Sequence, residues 1–227
     1  MSAVLKSRPV LALQNGDHLT REDFERRYDA MPHSCKAELI EGVVYMPSPV
    51  RAEQHGEPHF DLVGCLFLYR LKTKGVRGSD NATIRLALDN EPQPDAALYV
   101  SPELGGQAKI DADGYLESAP EFVVEVAASS ASYDLHTKKT VYRRNQVREY
   151  VVWRVLDRKV DWFILRGSEY VDLPPDEDGI FRSESLPGLW IDSAAVLIGD
   201  FERVYSVVER GLASPEHAAF VARLQKR

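Results

Sequence analysis

Two short apolar runs, each carrying acids, decide the fold of this chain: Pro94-Asp95-Ala96-Ala97-Leu98-Tyr99-Val100 and Glu121-Phe122-Val123-Val124-Glu125-Val126-Ala127. Both have the β-branched and aromatic content of strands. The connection over residues 101–120 holds glycines, prolines and the turn signal Asp111-Ala112-Asp113-Gly114, so the strands can return on each other as neighbours. If they pair antiparallel, Asp95 faces the end of the second strand, where Glu125 lies. A period of two puts Phe122, Val124 and Val126 on one face and Val123 and Glu125 on the other. A carboxylate inside an apolar strand is costly unless it is paired or binds a cation. Spacing alone leaves both a divalent-metal pair and a salt-bridged strand end open.

After the small-residue loop Ala127 to Ala131, Ser132 is placed to cap a helix with Asp134 in its first turn. Lys138, Lys139, Tyr142, Arg143 and Arg144 follow at helical spacing, with Lys138 and Tyr142 on one face. The helix start stands over the strand end, which brings Lys138 towards Glu125, where it could stabilise charge on a phosphate or orient a water. The same pattern also fits a solvated helix face.

Pro94-Asp95, Glu125-Val126, Asp134-Leu135-His136-Thr137-Lys138 with Tyr142, and Val147-Arg148-Glu149-Tyr150 follow in an order that resembles the Uma-type putative restriction endonuclease family, a branch of the PD-(D/E)XK nucleases. Ala37-Glu38-Leu39-Ile40-Glu41-Gly42, Pro47-Ser48-Pro49 and His55 resemble its amino-terminal block, and Leu186-Pro187-Gly188-Leu189 its closing one, so the likeness covers about residues 36 to 197. The resemblance implies an α/β (α+β) fold, a restriction-endonuclease-like mixed sheet flanked by helices. It also implies that Asp95 and Glu125 bind the catalytic metal, Mg2+ or Mn2+, that Lys138 assists, and that Glu38 completes the metal shell or orients a ligand. Two features depart from the pattern. The superfamily's lysine, two residues after the glutamate, is Ala127 here, so the lysine must come from the helix; and the loop before Asp134 lacks the usual proline and is one residue short.

The chain has 227 residues, 44% of them hydrophobic, enough for one sizeable core. No apolar run of membrane-spanning length and no signal-peptide pattern occurs, so a cytoplasmic protein is expected. Cys35 and Cys65, far apart and outside any CxxC spacing, read as free thiols rather than zinc ligands. A net charge of −7 excludes a protein that coats nucleic acid by charge alone. A local basic surface is still available, because no acid interrupts residues 135 to 148; Lys139, Arg143 and Arg144, with His55, are the expected substrate contacts.

In chain order, residues 1–17 read as a loose lead-in and residues 18–200 as the nuclease-like domain. Thr20 caps a helix to about Ala30, a hairpin turns at Glu41-Gly42, and an amphipathic helix runs from Pro58 to Leu71. One or two strands are expected over residues 76–90, where Ile84, Leu86 and Leu88 alternate, and a hairpin over Glu149–Val155 and Val160–Leu165 with Trp153 across from Trp162, extended by a third strand near Tyr170. His55 and His59 lie four apart, but Gly56 and Pro58 argue against one helix through both. Residues 201–227 read as a helical tail, with Ser214 capping its last helix. The expected function is a metal-dependent endonuclease acting on phosphodiesters, with double-stranded DNA as partner and a homodimer possible. The departures at Ala127 and before Asp134 keep two alternatives open: an inactive nuclease-fold DNA-binding or assembly module, and a hydrolase of another phosphate ester.

Overall fold

The computed structural model describes residues 10–32 and 34–226. Thr20 accepts the Asp23 amide and starts α1 (Arg21–Tyr28). β1 (Glu38–Ile40) and β2 (Val43–Tyr45) form the hairpin, with Glu41 and Gly42 both at positive φ as a two-residue turn requires. Of the lead-in, residues 1–9 lie outside the described residues, and the rest is not loose. Gly16 donates to the Val44 carbonyl, Val44 donates to the Asp17 carbonyl, and Leu13 is buried with Phe24, Leu39 and Val44.

A π-helical turn at Ala52–Gly56 leads directly into α2 (Glu57–Lys72), so the path from His55 to His59 is helical after all; Gly56 takes ordinary helical dihedrals, and Pro58 lies in the first turn of α2, where its missing N–H is no loss. Then come β3 (Val76–Asp80), β4 (Ile84–Arg85), β5 (Ala96–Val100), β6 (Lys109–Ile110), β7 (Leu116–Glu117) and β8 (Phe122–Ala127). The one or two strands expected over residues 76–90 are β3 and β4; the alternation does not carry on to Leu88, because the chain reverses between Ala87 and Asn90 and leaves it exposed. The connection before β8 is more than loop: β4, β7 and β6 make a small sheet of their own.

The next helix opens at Ala131, so Ser132 lies inside its first turn and does not cap it. Its parts are α3 (Ala131–Tyr133), a π-helical turn Asp134–Lys138, and α4 (Lys139–Arg144). β9 (Glu149–Arg154), β10 (Lys159–Arg166) and β11 (Glu169–Asp172) complete a six-stranded sheet of order β11-β10-β9-β8-β5-β3, in which β8 and β9 are parallel and every other pair antiparallel. The helix is thus the crossover that a parallel pair needs. Trp153 pairs with Val160 and Trp162 with Val151, so the tryptophans are offset along the hairpin; both are buried in the core.

β12 (Ile180–Arg182) and β13 (Trp190–Asp192) pair, and the C-terminal stretch holds α5 (Ser193–Ile198), α6 (Phe201–Leu212) and α7 (Pro215–Gln225). These helices are part of the main core: Val204 and Val208 of α6 and Phe220 and Leu224 of α7 bury with Leu62, Leu66 and Tyr69 of α2 against Phe122, Val124 and Val126. The opposite face of β8, with Val123 and Ala127, is covered by the crossover helix through Tyr142. Both cysteines are free thiols.

One charged cluster lies apart from the sheet's end. Arg85 contacts Glu25, Glu91, Asp111 and Asp113 and stacks on Tyr115, tying α1, β4 and the β6–β7 turn together. Burial, and next the nearby Glu25 carboxyl, push the Glu91 carboxyl up to about 8.

Candidate active site

Ala96 pairs with Val124, so one step further along the ladder Asp95 meets Glu125 on the face beneath the crossover helix. Asp95 Oδ2 accepts the Val126 amide at 2.6 Å. Its Oδ1 is 3.3 Å from His55 Nε2, and His55 Nδ1 lies 2.8 Å from the Val126 carbonyl oxygen. Both imidazole nitrogens face acceptors, which only the doubly protonated ring satisfies. Accordingly the hydrogen bond to Asp95 raises the His55 pKa. Burial alone would raise Asp95, but the hydrogen bond and charge of His55 hold it below the ordinary value. His59 turns elsewhere, its Nε2 3.0 Å from both the Asp95 carbonyl oxygen and Asp80 Oδ1.

Glu125 Oε1 accepts from Lys138 Nζ and from the Tyr142 hydroxyl, both at 2.9 Å. Lys138 Nζ also lies 2.8 Å from Glu38 Oε1, which accepts the Gln93 amide at 2.6 Å. The helix therefore brings the lysine to the glutamate, and the early acid Glu38 joins them from β1. Asp134, Lys138 and Tyr142, spaced by four, are all buried against this site, and Tyr150 donates to the Asp134 carbonyl inside the π-helical turn.

The cluster is short of positive charge. Burial, together with Asp134, Asp95 and Glu38, drives Glu125 well above its ordinary value against the pull of Lys138. Burial pushes Asp134 up to about 6. Burial works against the Lys138 charge, but Glu125, Glu38 and Asp134 outweigh it and keep the lysine protonated. Four carboxylates thus share Lys138 and His55, and a divalent cation is the group that would relieve the imbalance. Oxygen donors suit Mg2+ or Mn2+. Among the described residues no three acids, histidines or cysteines are spaced as a complete cage. Two carboxylates completed by water and substrate oxygens fit the habit of Mg2+.

Not every expected residue gathers here. Lys139 Nζ stands 3.3 Å over the Phe163 ring, Arg143 bonds Ser168 O and Glu169, and Arg144 bonds Glu41. Lys139 and Arg143 instead line a cleft of about 300 Å3, with His136 and Tyr170, on the outer flank of the helix. The basic run met no acid in sequence, but Glu169 and Glu41 from elsewhere in the chain pair with Arg143 and Arg144. The sequence had given no role to Gln93 or Tyr133, and set His59 aside as half of a histidine pair with metal-ligand spacing. Tyr133 packs its ring on Tyr45, and its hydroxyl is buried with no partner among the described residues. For Asp134 and Tyr142 the signal was present, as spacing from Lys138.

A family profile described as Uma2, putative restriction endonuclease, matches residues 21–195. Among solved structures, a putative nuclease belonging to DUF820 from Anabaena variabilis is similar at 13% identity and a TM-score of 0.54, over 81% of this chain and 97% of that one. That likeness extends to the fold. No functionally curated protein matches.

Proposed function

The chain belongs to the Uma2 putative restriction endonuclease family, and from that membership and the geometry above we propose that it is a metal-dependent nuclease hydrolysing phosphodiester bonds of DNA. One observation carries the reading: Asp95, Glu125, Lys138 and Glu38 converge in a buried cluster with more carboxylates than cations.

Asp95 and Glu125 would hold Mg2+ or Mn2+, which when bound supplies an activated water and charge stabilisation at phosphorus. Lys138 fixes one oxygen of Glu125 and holds its proton in the pull of three acids, so it serves as a cation that steadies phosphate charge rather than as a base. Tyr142 bonds the same oxygen, leaving the other free of both donors. His55 holds Asp95 as a carboxylate. Arg143 and Arg144 would contact a DNA backbone only by exchanging Glu169 and Glu41 for phosphate. Among the described residues no helix is long and apolar enough to cross a membrane.

Nicking of supercoiled plasmid with Mg2+ or Mn2+, beside folded Asp95→Ala and Lys138→Ala variants, tests this. Metal-dependent nicking lost in both variants supports the site. Wild-type protein as inert as its variants, yet still shifting DNA in a gel, transfers the fold to the binding-module reading.

A further inference from the structure

Helix α2 is apolar on both faces. Its inner face, Leu62, Leu66 and Tyr69, is used by the core. On the opposite side Phe60 is 77% exposed, Phe67 53% and Leu71 60%, and all three lie on one line with Gly64, at intervals of four, three and four. A helix with apolar stripes on both sides belongs inside something. Single exposed apolar residues are ordinary, but three large ones aligned along one helix are a surface.

We propose that this stripe is the interface of a homodimer, in which α2 packs antiparallel on α2 of a second copy. The line reads the same under a two-fold axis between Gly64 and Phe67. Phe60 then meets the second copy's Leu71, and Phe67 meets the notch at Gly64, where an added Cβ would touch nothing within 4 Å. Exposed Glu57 opens the helix at one end of the stripe, and exposed Lys74 lies in the turn that follows its other end. The same axis brings the Glu57 end of each copy to the Lys74 end of its mate, so charge complements shape. An isologous contact demands that kind of self-complementarity. A helix of 16 residues is about 24 Å long, so Glu57 and Lys74 of one chain cannot pair with each other. The three apolar side chains leave roughly 300–400 Å2 bare per protomer, which with the flanking residues makes an interface at the small end of specific ones, suited to micromolar association. The interface does not depend on the nuclease reading.

Sedimentation velocity of the full chain over roughly 1 to 100 µM tests it. The expected result is a dimer at the upper concentrations that Phe67→Glu converts to monomer, with Kd weakened at least about 30-fold and circular dichroism and Tm retained. Glu57→Lys and Lys74→Glu, both at exposed positions, should each weaken the dimer a few-fold, and the double exchange should restore it. A monomer throughout the range overturns the proposal. So does a dimer indifferent to Phe67→Glu, or a double exchange no better than either single one.

Discussion

Lys138 is the residue on which the site's charge balance turns. It is the shared partner of Glu38 and Glu125, and all three are buried. Removing it strands two carboxylates, so Lys138→Ala should cost about 3–5 kcal/mol in urea unfolding, apart from any catalytic effect. Activity comparisons therefore need the folded fraction measured alongside. Tyr133 is the opposite case. Its hydroxyl is buried without a partner among the described residues, so Tyr133→Phe should keep the ring contacts with Tyr45 and Lys138 and raise Tm by a few degrees. A lower Tm would mean that the hydroxyl has a partner, such as an ordered water. At this scale the sequence was eloquent about the acids. Asp95 and Glu125 stood out because a carboxylate in an apolar strand needs a reason. It was mute about Tyr133, since a lone tyrosine beside a serine carries no pattern.

Among the elements, strands and amphipathic helices were legible because their periods are local. The pairing of the two acid-bearing strands followed from the turn signals between them, and α1 from its cap. What escaped was decided by partners distant in sequence. The basic residues of α4 met no acid nearby in sequence, and the partners of Arg143 and Arg144, Glu169 and Glu41, come from other segments. The C-terminal helices read as a tail because nothing in them announces that Gly211 meets the turn before β13. There the Cβ of an alanine would come 2.3 Å from the Gly188 carbonyl oxygen and 2.8 Å from the Trp190 ring. Neither backbone nor indole can yield cheaply, so Gly211→Ala should lower the urea midpoint by an amount equivalent to about 1–3 kcal/mol, with the m-value unchanged. An unaffected midpoint would show that α6 is free to shift away from that turn.

For the whole molecule, the Arg85 cluster makes stability depend on pH. Folding raises Glu91 from 4.5 to about 8, so between those values the native state keeps a proton that the unfolded chain has released. Stability must then fall as pH rises through that window, by up to about 1.4 kcal/mol per pH unit for one proton. Glu91→Gln removes the titration and should flatten the slope in urea unfolding at pH 5, 6.5 and 8; an unchanged slope would place the proton elsewhere. The distances bridged along the chain have a different consequence. His55 reaches Val126 across 71 positions, and Glu38 reaches Gln93 across 55. Closing such loops costs entropy before any contact repays it, so β5 and β8, joined by a bond spanning only 31 positions, can pair and bring Asp95 to Glu125 before Glu38 and His55 close over them. If Asp95 and Glu125 hold Mn2+ as proposed, the capacity to bind it should accordingly return on refolding from urea later than the far-ultraviolet signal, and the completed site would be the last thing this protein's folding creates.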